Sequence, residues 1–393
     1  MLLLKLSTCL IFLANTFVSG QSCKGDFAIG NQQDVDRIAK CTQYVGDITV
    51  NQYKNVEIDL DKLQELSGNL YVSNSFNLRS LSLNNLVSIK GDMVIEDNVQ
   101  LLALGIPLLN RVQKFRIVNA PNLQTLNSQA INFASKVEIT QTSISELRSL
   151  AFKNITSVEI NSNLNLKYIE MTNLAENSGY FNIIDNHSET SLSLPNLKVI
   201  GGNATFKSLS SISVPNLRQI MDTLNIIENP LQTLQFEALR QVNKDLVIID
   251  NNQMTKIRFP ELTTIKSGLI IQNNTNYHIL DDDSFPKLKN VDDKILITGP
   301  IDSVSFPGIK LVNKAVTIKS TGKIDCVSAR SNFSFLNKDR WICQLSTSKP
   351  SSTSNSGGTV NRERASSASR KSSNNYLALG AIFLSALFIY IQN

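Results

Sequence analysis

Few residues in this chain have types and spacing suited to chemistry. Asp281, Asp282 and Asp283 form a run, with Asp292 and Asp293 close behind. Carboxylates grouped in this way can bind Ca2+ or share the acid and base roles of glycan cleavage. Here they fall in the longest spacing of an internal repeat, where an inserted, solvated loop is expected. His187 and His278 are the only two histidines. Each adjoins an Asn-rich corner and reads as a surface residue rather than a general base. No Gly-rich phosphate loop, HExxH or nucleophile elbow occurs. No catalytic, cofactor-binding or metal residue is assigned, and the chain reads as non-enzymatic.

The frame that must position these residues is the repeat itself. The stretch from Lys244 to Ile265, KDLVIIDNNQMTKIRFPELTTI, contains an apolar triplet, a polar corner ending at Asn251, a second alternating run and then Pro260, Leu262 and Ile265. Equivalent triplets begin at Ile48, Leu70, Met93, Phe115, Val137, Val158, Phe181, Ala204, Leu224, Leu246, Leu269, Ile295 and Val316, at spacings of 20 to 26 residues. The triplets are β-branched and too short for helices, so they read as strands. One such coil cannot bury its apolar side alone, whereas stacked coils bury a continuous core. The expected fold is all-β: a right-handed parallel β-solenoid of about thirteen coils of ~22 residues, roughly 60 Å long at the ordinary strand spacing, with no α/β layer.

Asn98, Asn163, Asn186, Asn229, Asn251 and Asn274 each stand three residues after a triplet. A short amide facing inward at a corner can satisfy backbone groups that the turn exposes, so stacked equivalents are expected to form a ladder. The alternative is that they are ordinary turn asparagines. Five N-x-S/T sequons, at Asn154, Asn186, Asn203, Asn273 and Asn332, are candidate N-glycosylation sites. The ladder phase turns Asn186 inward and Asn273 outward.

Met1 to Gly20 carries Lys5, an apolar stretch and small residues at cleavage spacing, the pattern of a secretory signal cut before Gln21. Cys9 leaves with it. Cys23, Cys41, Cys326 and Cys343 remain, allowing three connectivities. Pairing across the rod would span far more than the ~6 Å that a disulfide permits. Cys23 with Cys41 and Cys326 with Cys343 are therefore expected to staple caps over the open ends, with Phe27 and Ile38 beneath the first and Phe335 and Trp341 beneath the second. The expected boundaries are a cap over 21–45, the solenoid over 46–322 and a second cap over 323–345.

From 346 to 366 the chain is rich in Ser, Thr, Asn and Gly, as expected of an O-glycosylated stalk. Small residues around Ser366, a polar spacer and the terminal LALGAIFLSALFIYI fit a GPI-attachment signal with Ser366 as acceptor and 367–393 as the removed propeptide. Loss of Lys5, Arg370 and Lys371 lowers the formal charge from +5 to +2, so the basic balance is no argument for nucleic acid.

The phrase L-x-x-I-x-G-x-L-x-I-x-x-N, present as LVSIKGDMVIEDN from Leu86 and LTTIKSGLIIQNN from Leu262, resembles the leucine-rich receptor L-domain repeat. With the signal, terminal cysteine pairs, sequons, stalk and tail, the whole is similar to fungal GPI-anchored cell-wall glycoproteins of the extracellular-mutant and sporulation-specific group. The resemblance implies a non-enzymatic role in wall organisation, in growing cells or in the ascospore wall. It further implies wall polysaccharide or mannoprotein as partner, and a GPI lipid holding the protein to the outer face of the plasma membrane or passing it to the wall. A wall-polysaccharide enzyme built on a β-helix and a ligand-binding receptor are the competing readings.

Overall fold

The computed structural model describes residues 23–128 and 131–345. The expected signal, stalk, acceptor Ser366 and propeptide lie outside them. The described residues wind as a parallel β-solenoid. Its spine is a sheet of 15 strands in sequential order from Phe27–Ile29 to Trp341–Leu345.

All thirteen triplet starts stack in one column of this sheet, Ile48 pairing with Leu70, Leu70 with Met93, and so on to Val316. The sheet extends one strand further at each end, since Phe27 pairs with Ile48 and Trp341 with Val316. The caps thus supply the outermost strands, which a count of triplets does not reach. Between the caps most strands of this sheet alternate buried and half-buried residues, as in Leu246–Ile249. That alternation fixes the register, because a one-residue slip would turn the buried column to solvent.

Two further faces close each coil. The second is made of three-residue strands such as Lys256–Arg258, and the third of two-residue strands such as Thr264–Ile265. Pairing on the second face is interrupted between Thr125–Asn127 and Glu146–Leu147, while the 15-stranded sheet runs straight across. In the coil that starts at Leu246, the side chains of Leu246, Ile248, Met254, Ile257, Phe259, Leu262 and Ile265 are all buried. Each such aliphatic or aromatic side chain contributes about 1.5–3 kcal/mol relative to exposure.

Among the described residues, helices occur only at the ends. Gln32–Ile38 is capped by the Asn31 side chain, which accepts from the Asp34 N–H at 3.2 Å, and it lays Val35 and Ile38 on the first coil. Cys23 and Cys41 are bonded across it, with Cα atoms 5.9 Å apart. At the other end Cys326 opens the helix Cys326–Ser331 and bonds to Cys343 on the last strand, with Cα atoms 5.8 Å apart.

The cap interiors differ from expectation in one respect. Phe335 is exposed, and the ring filling the second cap is Phe333, 5.4 Å from Trp341 between centroids. Phe333 also ends a row of rings, Phe236, Phe259, Phe285, Phe306 and Phe333, at centroid spacings of 5.2, 5.3, 5.7 and 5.6 Å. The row continues the core into the cap.

Candidate binding surface

The first corner of each coil follows the 15-stranded sheet, and in the eleven coils from Ile48 to Leu269 its geometry is set by one residue. Gln52, Asn74, Asp97, Asn119, Gln141, Ser162, Asp185, Ser208, Glu228, Asp250 and Asn273 all have φ between 50° and 60°. This is the left-handed conformation, which Asn and Asp tolerate best among residues with a Cβ. It turns the chain so sharply that the next residue points inward, and that residue is where the asparagines stand.

Asn98, Asn163, Asn229, Asn251 and Asn274 are 0–2% exposed and Asn186 is 5% exposed. Asn251 is typical. Its Oδ1 accepts from the Asn229 N–H at 2.9 Å, and its Nδ2 donates to the Ile226 carbonyl at 3.0 Å. Asn274 repeats this on Asn251 and Ile248, and Asn186 on Asn163 and Ile160. Each amide therefore satisfies a corner N–H and a strand carbonyl of the preceding coil. The column is not continuous, because Tyr53, Ala120 and Leu209 occupy the same place in other coils. The Ser75 hydroxyl there accepts from the Tyr53 N–H of the preceding coil, whereas the Thr142 hydroxyl donates to Asn163 Oδ1.

The outward face of the 15-stranded sheet is the longest surface of the rod. In its first half Arg116 is held between Glu96 and Glu138, and Lys136 pairs with Glu138 at 3.3 Å. Burial alone would raise the Glu138 carboxyl, but Lys136 and Arg116 outweigh it and hold Glu138 below the ordinary glutamate range. It therefore stays ionised near neutrality, as an acceptor rather than a proton donor. Beyond it, Asn161 and Asn182 donate to Glu159 at 2.8 and 3.2 Å, and Asn203 donates to Asn182 at 3.2 Å. Further along, the same face carries half-buried Ile227, Val247, Ile249, Ile270 and Leu296. Sugar hydroxyls and the apolar faces of sugar rings both find matching groups on such a surface.

The acidic run does not converge on one point. Asp281 accepts from the Ser284 hydroxyl at 2.8 Å, Asp282 from the Ser305 hydroxyl, Asp283 pairs with Arg258 at 3.1 Å and Asp293 with Lys314 at 2.7 Å. Among the described residues, no three His, Cys, Asp or Glu side chains come together as a metal site. His187 accepts from the Glu189 N–H at 3.0 Å, and His278 lies 3.4 Å from Asp302. The two histidines and the acidic run remain separate.

Of the sequons, Asn154 and Asn273 are exposed and Asn203 is half-buried. Asn186 is turned inward. The Asn332 amide accepts from the Phe306 N–H at 3.0 Å and donates to the Val304 carbonyl at 3.2 Å.

Along this same array the chain is 28% identical over 308 residues to a cell surface GPI-anchored protein of Arthroderma benhamiae, covering 78% of each chain. It is 27% identical over 338 residues to the protein ecm33 of Aspergillus fumigatus, covering 84% of this chain and 83% of that one. Its homologues are fungal cell-surface proteins. They include sporulation-specific protein 22 of Saccharomyces cerevisiae, 28% identical over 311 residues, covering 77% of this chain and 66% of that protein. Two of those names describe a surface and a sporulation protein, and none of the three carries a catalytic term. No family model and no solved structure matches the chain.

The αL column, the row of phenylalanines and the discontinuity of the asparagine ladder are absent from the sequence reading. The first has a signal in hindsight: Asn, Asp, Gln, Ser or Glu stands immediately before every ladder place.

Proposed function

We propose that this chain is a non-enzymatic, GPI-anchored surface glycoprotein that organises and maintains the fungal wall, in growing cells or in the ascospore wall, by binding wall polysaccharide or mannoprotein along its flanks. The observation that carries the reading is the extent of similarity: relatives named for the cell surface and for sporulation align over more than three-quarters of the chain. The fold supports it, since a solenoid offers long lateral surfaces. The ionised state of Glu138 and the dispersed partners of the acidic run also oppose an acid–base pair for glycan cleavage.

The mature form begins after a signal over 1–20. It carries the capped solenoid on a stalk over 346–366 and receives its lipid at Ser366 once 367–393 is removed. Asn154 and Asn273 are the acceptors best placed for glycans, because both are exposed, although the Asn273 side chain also hydrogen-bonds Asp250.

Two measurements test the reading. Purified rod incubated with β-glucan, chitin or mannan should be retained without releasing new reducing ends; release of reducing ends would make it an enzyme. Deletion of the gene should sensitise growing cells to wall stress or leave spores fragile, and a strain normal in both respects would overturn the wall role.

A further inference from the structure

The third corner of the coil carries a row of cations. Backbone hydrogen bonds run from Ala175 to Lys153, Lys198 to Ala175, Arg218 to Lys198, Arg240 to Arg218, Thr263 to Arg240, Lys289 to Thr263 and Lys310 to Lys289, at 2.7–2.9 Å. Lys153, Lys198, Arg218, Arg240, Lys289 and Lys310 therefore stack on successive or alternate coils, about 4.8 Å apart in the pairing direction where successive and about twice that where a coil intervenes. All are exposed. In the first four coils the same place holds Gln64, Val87, Asn110 and Asn132, so the charge begins at Lys153 and is concentrated from Lys198 onward.

Elsewhere the rod sets cations against acids of neighbouring coils. Lys167 faces Glu189, Lys207 faces Asp185 and Glu228, Lys244 faces Asp222, and Lys287 faces Glu261. Among the described residues, none of the stacked cations has a carboxylate within ion-pair distance, although the full chain carries a formal charge of only +5. Like charges at strand spacing repel; Glu261 offsets Arg240 in part from beyond ion-pair distance, and among the described residues no ion pair offsets the others.

We propose that this corner binds a linear, phosphate-bearing glycan of the wall, its anionic groups on the Lys198–Arg218–Arg240 run and on Lys289 and Lys310. The proposal rests on the wall reading above and names its ligand class. The column flanking the cations presents Gln219, Gln241, Thr264 and Asn290, groups that hydrogen-bond hydroxyls, with Val199 beside Lys198 and Leu311 beside Lys310; no aromatic ring stands among them to stack bases. A stripe one residue wide follows a chain rather than a lipid plane.

The test compares wild type with Lys198→Gln/Arg218→Gln/Arg240→Gln and with the charge-matched Lys54→Gln/Lys62→Gln/Lys90→Gln. The probes are phosphorylated mannan, the same mannan stripped of phosphate, and phosphatidylserine vesicles. Wild type and the charge-matched variant should hold phosphorylated mannan, release it as salt rises from about 50 to 500 mM, and prefer it to either other probe. The column variant should bind it at least ten-fold more weakly at an unchanged melting temperature. Should the triple variant unfold, Arg218→Gln alone should still weaken binding several-fold. Equal loss in both variants, equal retention by stripped mannan, preference for vesicles or no binding of phosphorylated mannan would each overturn the proposal. Continued retention on neutral glucan or mannan would leave the wall reading standing.

Discussion

Residue-scale chemistry in this rod lies at its corners. Asn251 serves a corner N–H and a strand carbonyl of the coil below, and gives its own N–H to the amide above. Aspartate would replace the donating Nδ2 by a buried oxygen facing the Ile226 carbonyl. Asn251→Asp should therefore lower stability by about 2–4 kcal/mol, read as a fall in the denaturation midpoint; an unchanged midpoint would remove the ladder's structural role. Glu138 makes a different prediction. Its carboxyl titrates lower in the folded protein than in the unfolded chain, so its contribution is present above about pH 5 and is lost as pH falls below about 4. Glu138→Gln should be less stable than wild type at pH 7 and should lose less on acidification. Parallel acid limbs for the two proteins would show that Arg116 and Lys136 stabilise nothing through it.

At the scale of elements, no strand or corner is self-sufficient. The strands are mostly two to five residues long, and each gains stability only by pairing with the coils on either side. The ring row from Phe236 to Phe333 makes the same point within the core, since each ring is packed by the rings of adjacent coils. Phe285→Ala leaves a void between Phe259 and Phe306 and should cost about 3–5 kcal/mol. Phe285→Leu should cost clearly less. Equal melting curves for the alanine variant and wild type would mean that the coils collapse to fill the gap. The row also explains why Phe333, and not the expected Phe335, fills the second cap. Phe333 and Phe335 are two apart, and only the column of phenylalanines above decides which ring enters the core.

The whole molecule behaves as a stack that must be closed at both ends. Open end coils would expose apolar side chains and unpaired strand edges, and the short helices with their disulfides cover them. The Cys326–Cys343 bond closes a loop with a sequence separation of 17 residues. Removing a bond of that size should cost about 3 kcal/mol. Cys326→Ser/Cys343→Ser should expose the second cap to proteolysis before the central coils, whose stability is propagated from neighbours on both sides. Simultaneous cleavage throughout would indicate a single cooperative unit with no separable cap.

Amphipathic period, corner asparagines and cysteine placement determined the parallel solenoid, the coil phase and the capped ends from the sequence alone, because each is repeated locally and repetition survives without coordinates. The pairing of Phe27 and Trp341 into the long sheet was decided only by tertiary structure, since neither strand carries the complete repeat. The separation of the carboxylates around Asp282 was decided there too, because each is claimed by a partner from another part of the coil or from a neighbouring coil. The cation column is the clearest case. Lys198, Arg218 and Arg240 look like scattered surface charges until the stacking of coils, which sequence spacing gives only to within a few residues, sets one directly above the next.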